Sequence, residues 1–326
     1  MSHRNGSRPP FADAIKARAL ALGFDACGIA PAVAHPELRF FREWLDRGYA
    51  GSMGYLARSA DRRDDVRHVV PAARTVIATA TVYNTARPYS TEIADPHRAG
   101  IARYAWGDDY HDVIGARLDA LLDWMRAESP EPFEARAYVD TGPVQERVYA
   151  QYAGLGWIGK HTCLINERLG SWIFLAEIIT SLTLPVDPPA FDQCGTCTLC
   201  LEACPTHAIV EPGVLDSTRC ISYLTIEHRG EIPAELRAGI GSHVYGCDVC
   251  QEVCPWNQQA PVSADPAWQP RGAWDGPTID ELSGRSDEDL QMALRGSAMR
   301  RTRREGLRRN LAIAAGNLER AAPPDA

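Results

Sequence analysis

Eight of the ten cysteines in this 326-residue sequence lie between positions 194 and 254, and their spacing is regular. The first run is Cys194-x2-Cys197-x2-Cys200-x3-Cys204 followed by Pro205; the second is Cys247-x2-Cys250-x3-Cys254 followed by Pro255, one cysteine short, with Cys220 between the two. Two-residue gaps let three thiolates of one tight loop cap three irons of a 4Fe–4S cube, while the cysteine after the longer gap ligates the other cluster in two-cluster ferredoxins. On that rule Cys194, Cys197, Cys200 and Cys254 hold one cluster, and Cys204, Cys220, Cys247 and Cys250 hold the second. Zinc also takes CxxC pairs, but a third in-line cysteine and a repeated Cys-Pro ending are redundant for a tetrahedral ion. Two fully ligated clusters pass electrons singly. The remaining Cys27 and Cys163 read as small buried hydrophobes.

Other residues carry weaker signals. Gly154-Leu-Gly-Trp-Ile-Gly159 matches GxGxxG but follows an expected helix instead of a strand, so it lacks the context of a dinucleotide fingerprint. Asp140 and Thr141 stand at a strand end before Pro143, where either can cap the next helix. Lys160 and His161 form a Gly-Lys-His turn that can hold a phosphate or amide group or simply be solvated. From Arg295 to Arg309 seven arginines face the single acid Glu305, which cannot pair them, so this stripe is expected to meet phosphate.

The elements that must position these residues follow from composition and periodicity. With 34 Lys and Arg against 42 Asp and Glu the net charge is −8, and 45% of residues are hydrophobic, so the chain is a globular protein and not a general nucleic-acid coat. No window nears 18 consecutive apolar residues, and the first 20 residues hold no signal-like apolar stretch, so a cytoplasmic protein without a membrane span is expected. In that reducing compartment dense cysteine means metal. Helical spacing appears at 11–24, near Leu38 to Asp46, at 110–128 and from Val144 to Ala153; Thr75 to Tyr83, Phe133 to Asp140 and Trp172 to Thr183 read as strands. The expected class is α+β, with a mixed domain over 1–185, a ferredoxin-like unit over 186–256 after the Pro185, Pro188 and Pro189 linker, and a C-terminal helical segment over 257–326, including a helix from about Asp287 to Asn317.

Five segments in this order resemble the epoxyqueuosine reductase family: Val139-Asp-Thr-Gly-Pro-Val-Gln-Glu-Arg147, Gly154-Leu-Gly-Trp-Ile-Gly-Lys-His161, the cysteine runs, Cys220-Ile-Ser-Tyr-Leu-Thr-Ile-Glu227 and Tyr245-Gly-Cys-Asp-Val-Cys250. The resemblance runs from about residue 10 to 317. It implies a cobalamin-dependent enzyme with two 4Fe–4S clusters that removes the epoxide oxygen of epoxyqueuosine at the wobble position of tRNA. Asp140 matches the family's proton donor, and over an apolar corrin face its pKa is expected to be raised. Cobalamin contacts implied are Arg58, Asp140, Leu164, Leu175, Ser222 and Asp248, with Lys160 and His161 as further candidates. The tRNA contacts implied or expected are Tyr223, Thr225, His228 and Arg229, and Arg300, Arg301, Arg303, Arg304, Arg308 and Arg309 for the phosphates. A flavodoxin or ferredoxin is expected as reductant, and a monomer as the working form.

Asp95-Pro-His-Arg-Ala-Gly100 matches the DxHxxG histidine-on cobalamin signature, but it sits in a polar loop without the strand that signature needs, and the family does not use it; His97 is not expected as a ligand. Two other readings compete. A reductive dehalogenase shares the cobalamin and cluster set but calls for a twin-arginine export signal, which MSHRNGSRPP does not supply. A ferredoxin-type electron carrier would bind no cobalamin and would tolerate loss of Asp140.

Overall fold

The chain was analysed as a computed structural model that describes residues 10–321. Its frame is a four-stranded antiparallel sheet of β1 (Ala26–Pro31), β2 (Thr75–Val82), β3 (Ala135–Tyr138) and β4 (Ile173–Thr180), in the spatial order β1-β2-β4-β3. Every residue of β2 is buried, which is why its sequence is β-branched and apolar without alternation. The hydroxyls of Thr75 and Thr79 donate to the carbonyls of Leu182 and Ala176 at 2.8 and 3.0 Å, so they carry no unpaired polarity into the core.

Helices cover both faces. On one, α1 (Phe11–Ala21) and α2 (Tyr110–Glu128) bring Ile15, Ile114, Leu118 and Leu121 against Ile29, Ile77 and Ile178. On the other, α3 (Glu146–Tyr152) packs Val148, Tyr149 and Ala150 against Val76, Ala78 and Ile179. Strand β1 is the element the sequence concealed: Ala26-Cys-Gly-Ile-Ala-Pro31 has too few β-branched residues to stand out. Its Gly28 shows the reason, because a Cβ there would lie 2.0 Å from the Ala153 carbonyl oxygen at the end of α3. The expected strands are present, trimmed at their ends, and the helix at 110–128 has the expected bounds.

The cysteine-rich part is built from short turns. It contains α4 (Ile221–Ile226), and a parallel pair joins Gly100–Ile101 to His243–Tyr245. The expected single helix from 287 to 317 is instead a helix over Asp287–Leu294, a 3-10 turn over Ala298–Thr302, and α5 (Arg303–Ala321). Gly296 at φ +64° and the Ser297 side chain, which accepts the Met299 N–H, break it. Leu290, Leu294, Leu307, Leu311 and Ala314 then pack with Trp274 and Tyr245 in a third core.

Candidate active site and cluster-binding site

The cysteines gather into two sets across 60 residues of chain. Cys194, Cys197, Cys200 and Cys254 line one cavity, together with Lys160, His161, Ile165 and Trp256. Cys204, Cys220, Cys247 and Cys250 line another with Pro205, Ile209, Ile221 and Val249. This is the crossed partition the spacing implied, with each cavity taking one thiol from the other run. Among the described residues no three or more His, Cys, Asp or Glu converge on a single-ion site; the thiols instead ring two apolar cavities, which suits a multi-iron core. Burial pushes the Cys254 thiol up to about 11 and the Cys220, Cys247 and Cys250 thiols upward as well, so iron must displace their protons on binding.

Lys160 and His161 stand at the first cavity. The Lys160 ammonium donates to the Gly195 and Cys197 carbonyls at 2.7 and 2.8 Å, so the position expected to face a cobalamin side group braces the cluster loop. The GxGxxG stretch has no ligand role in this geometry. Gly154 at φ +75° ends α3, and the chain then forms a two-stranded hairpin of Trp157–Ile158 with Leu164–Ile165 that presents the Lys160 turn. His97 lies exposed in its loop, with its backbone N–H on the Asp95 carboxylate.

Asp140 occupies the turn between β3 and α3. Its φ of +55° places a non-glycine residue in the left-handed region, a conformation that costs on the order of 1–3 kcal/mol and is held where function requires it. The anchor is Glu146, whose carboxylate accepts the Asp140 N–H at 2.6 Å. Asp140 therefore does not cap α3; an α3 side chain holds Asp140. Below Glu146 the fully buried Glu177 of β4 contacts it, and burial raises both acids, Glu146 to about 7 and Glu177 well above the usual carboxylate range. Two such carboxyls cannot both ionise, so at least one keeps its proton.

Sequence reasoning missed the partner of the Asp140 carboxylate. His111 Nε2 lies 3.3 Å from Asp140 Oδ2, and His111 Nδ1 lies 2.7 Å from the buried Asp109 Oδ1. Asp109 is also ion-paired with Arg300, whose Nε lies 3.2 Å from Oδ2. Burial opposes charge on His111, but the hydrogen bonds to Asp109 and Asp140 outweigh it and lift the imidazole to about 9. Burial would likewise raise Asp140, yet His111, Tyr110 and Arg147 hold its carboxyl below the ordinary value. The expected upward shift is thus reversed, because a cation sits against the carboxylate. The Asp140 side chain is 58% exposed although desolvation is its largest perturbation; an open group in dense surroundings stands on the floor of a cleft.

The remaining expected residues distribute around that cleft. Asp248 is buried, accepts the Arg103 N–H at 2.6 Å and is raised by burial to about 7; the Ser222 hydroxyl faces the Cys247 carbonyl at 3.5 Å. Both therefore adjoin the second cavity. Leu164 and Leu175 are buried in the sheet-side core, and Arg58 ends an exposed short helix, Gly54–Arg58. The cleft rim carries Arg301, whose guanidinium lies 5.5 Å from the ring centre of the half-exposed Tyr55.

The nucleic-acid expectations change most. Thr225 has no exposed surface and bonds the Ile221 carbonyl and the Gly246 N–H, and Tyr223 is buried with its hydroxyl accepting the Ser52 N–H, so neither presents a surface to RNA. His228 Nε2 pairs with the Glu231 carbonyl, and Arg229 donates to the Ile226, Arg301 and Thr302 carbonyls. Arg301 binds Glu227, Arg304 and Arg308 bind Asp287, and Arg309 donates to the Leu224, His228 and Gly230 carbonyls. The stripe lacked acids only within its own sequence; the fold supplies them from other segments.

Comparison with known proteins agrees with this geometry. A family model described as epoxyqueuosine reductase QueG, DUF1730, matches residues 63–141, and one described as a 4Fe-4S double cluster binding domain matches residues 193–257. An epoxyqueuosine reductase of Gloeobacter violaceus is 46% identical over 94% of this chain and 96% of its own length, and one of Xanthomonas campestris is 42% identical over 95% and 89%. A crystal structure of epoxyqueuosine reductase with a tRNA-Tyr epoxyqueuosine-modified stem loop superposes with a TM-score of 0.86 at 30% identity, covering 95% of this chain and 82% of that one. With its two cysteine cavities and its acid at the head of α3, this chain belongs to the epoxyqueuosine reductase family.

Proposed function

We propose that this protein reduces epoxyqueuosine to queuosine in the anticodon loop of tRNA, with Asp140 delivering the proton to the departing oxygen. Removing an epoxide oxygen as water takes two electrons and two protons and leaves a carbon–carbon double bond. The observation that carries the reading is the pairing of an acid on a strained, anchored turn with two four-cysteine cavities in one rigid frame. Two 4Fe–4S clusters fit those cavities by ligand number and apolar lining.

Cobalamin would lie in front of the open Asp140 carboxylate, on the side that leads to the second cavity. Asp140 lies within electrostatic reach of Arg147, Arg147 of Cys163, and Cys163 of Asp248 and Cys220. Asp140, Arg58, Leu164, Leu175, Ser222 and Asp248 are the residues that would hold it, and when bound it would supply a strongly reducing centre facing the substrate. The chain's own residues handle the protons. Asp140, whose carboxyl is held below its ordinary value, ends a hydrogen-bonded row through His111 to Asp109, so the proton rests on the imidazolium and passes through the Asp140 carboxylate to the oxygen.

For the substrate, a single-stranded base is recognised by stacking and by edge contacts, with arginines on the flanking phosphates. Tyr55, within electrostatic reach of Asp140 and in contact with Arg301, and Arg300 beside Asp109 are the candidates for that task. A flavodoxin or ferredoxin is the proposed reductant, acting on a monomer in the cytoplasm; among the described residues no helix is long and apolar enough to cross a membrane. The test is anaerobic reconstitution with iron, sulfide and cobalamin, then a low-potential reductant and epoxyqueuosine-containing tRNA, with the nucleoside read by mass spectrometry. Cobalamin-dependent loss of one oxygen mass supports the proposal; unchanged nucleoside with both cofactors bound would reject it.

A further inference from the structure

We propose that His161 donates a hydrogen bond from Nε2 to the sulfur of the cluster held by Cys194, Cys197, Cys200 and Cys254, and so raises that cluster's reduction potential selectively. The inference rests on the cluster assignment of the proposed function. His161 is only 3% exposed and lines the cavity ringed by these four thiols. Its Nδ1 accepts the Cys163 N–H at 3.1 Å. A neutral imidazole that accepts at Nδ1 carries its one proton at Nε2.

That Nε2 is buried and has no hydrogen-bond partner among the described residues. Leaving a buried donor unpaired costs about 1–3 kcal/mol, which selects for an acceptor in the adjoining space. The acceptors that a loaded cavity offers are the bridging sulfides and the thiolate sulfurs. The backbone fixes the aim of the ring. Gly159 leaves out a Cβ that would meet His161 Cε1 at 3.2 Å, and Lys160 ties the turn to the cysteine loop through the Gly195 and Cys197 carbonyls.

An N–H bond to cluster sulfur stabilises the more negative reduced state and moves the potential upward. The second cavity has no imidazole among its lining residues; the donors at its sulfurs are the Ala208 N–H, 3.2 Å from Cys204 Sγ, and the Thr206 hydroxyl, 3.9 Å from the same sulfur. The two clusters are thereby graded within one chain.

The experiment compares wild type, His161→Leu and His161→Gln, reconstituted anaerobically without tRNA, by redox titration followed by electron paramagnetic resonance. The expected result is that the Leu variant keeps its full iron content while one of its two potentials falls and the other stays, and that Gln, which keeps an N–H donor, restores most of the difference. A second measurement needs no variant: in wild type with 15N-labelled histidine, pulsed resonance on the reduced cluster detects an imidazole nitrogen and an exchangeable proton. Unmoved potentials in a fully loaded Leu variant would overturn the inference, as would absence of the histidine coupling in wild type. Failure to bind iron in wild type would reject the cluster assignment itself, a different and earlier outcome.

Discussion

At Asp140 the chemistry depends on a neighbour 29 residues away. Asp140 alone, open at the floor of a cleft, would hold no proton at neutral pH, whereas its contact with His111 keeps one a single hydrogen bond away. Asp140→Asn retains both clusters and the fold, since the Glu146 anchor uses the backbone N–H, but turnover is expected to fall about 10²–10⁴-fold; iron content and single-turnover nucleoside analysis check this. The pH profile has a defined sign. Because the folded pKa of His111 is raised from 6.5 to about 9, the stability it contributes is complete below 6.5 and lost as pH rises through about 9. Turnover is expected to decline over the same alkaline limb, and His111→Gln to lower the rate and remove that limb. Asp140 was legible in sequence because its motif is contiguous. His111 and Asp109 were not, because an Asp-x-His pair at a helix start looks like capping, and Asp109 does cap α2 through the His111 N–H.

The C-terminal element shows how the same residue type serves two ends. Arginine density alone predicted a phosphate-binding face, and the fold divides it. Arg308 is tied to Asp287 and to the Ser283 and Arg285 carbonyls, so it fastens α5 to the helix at Asp287–Leu294. Arg303, exposed at the start of α5, has no ion-pair partner among the described residues. The two variants should therefore separate. Arg303→Ala is expected to reduce the slope of log affinity for tRNA against log salt by about 0.7–0.9, the value of one released counterion. Arg308→Ala is expected to leave the slope within error and to cost up to about 1 kcal/mol of stability. Equal slopes for Arg303→Ala and wild type, in titrations from low to moderate salt, would remove Arg303 from the interface. The strands were legible because β2 and β4 are rich in apolar and β-branched residues; β1 was not, since it follows from the close approach of the Ala153 backbone to Gly28, nor was the break at Gly296, which follows from a left-handed backbone that only the fold reveals.

Across the whole molecule the cysteine-rich part is stitched to its surroundings at many points, so the expected boundaries at 185 and 256 separate compositions more than they separate bodies. Glu252 accepts the Ser90 and Thr91 N–H groups, Gln251 and Asn257 bind Ser171, and Asn310 of α5 bonds the Thr225 and Val244 carbonyls at 2.8 Å each. The part's own apolar core is small: Ile221, Tyr223, Leu224, Ile232 and Ile240 in one group, and Cys254 with Trp157 and Ile165 of the hairpin in another. Short turns with little core have low local stability, and metal binding then carries folding free energy. Removing iron should accordingly loosen a defined region and not the frame. Hydrogen exchange after chelation is expected to show lost protection at 194–208 and 245–257, spreading through Gln251 and Asn257 to the start of β4, while β2 and α2 keep theirs. Burial raises the Cys220, Cys247 and Cys254 thiols left behind, so thiolate repulsion among them does not drive the stripped form apart, and it should recover protection when iron and sulfide are returned. Uniform loss of protection across β2 would mean instead that the clusters nucleate the entire fold, and the sheet, for all its buried apolar surface, could not stand without them.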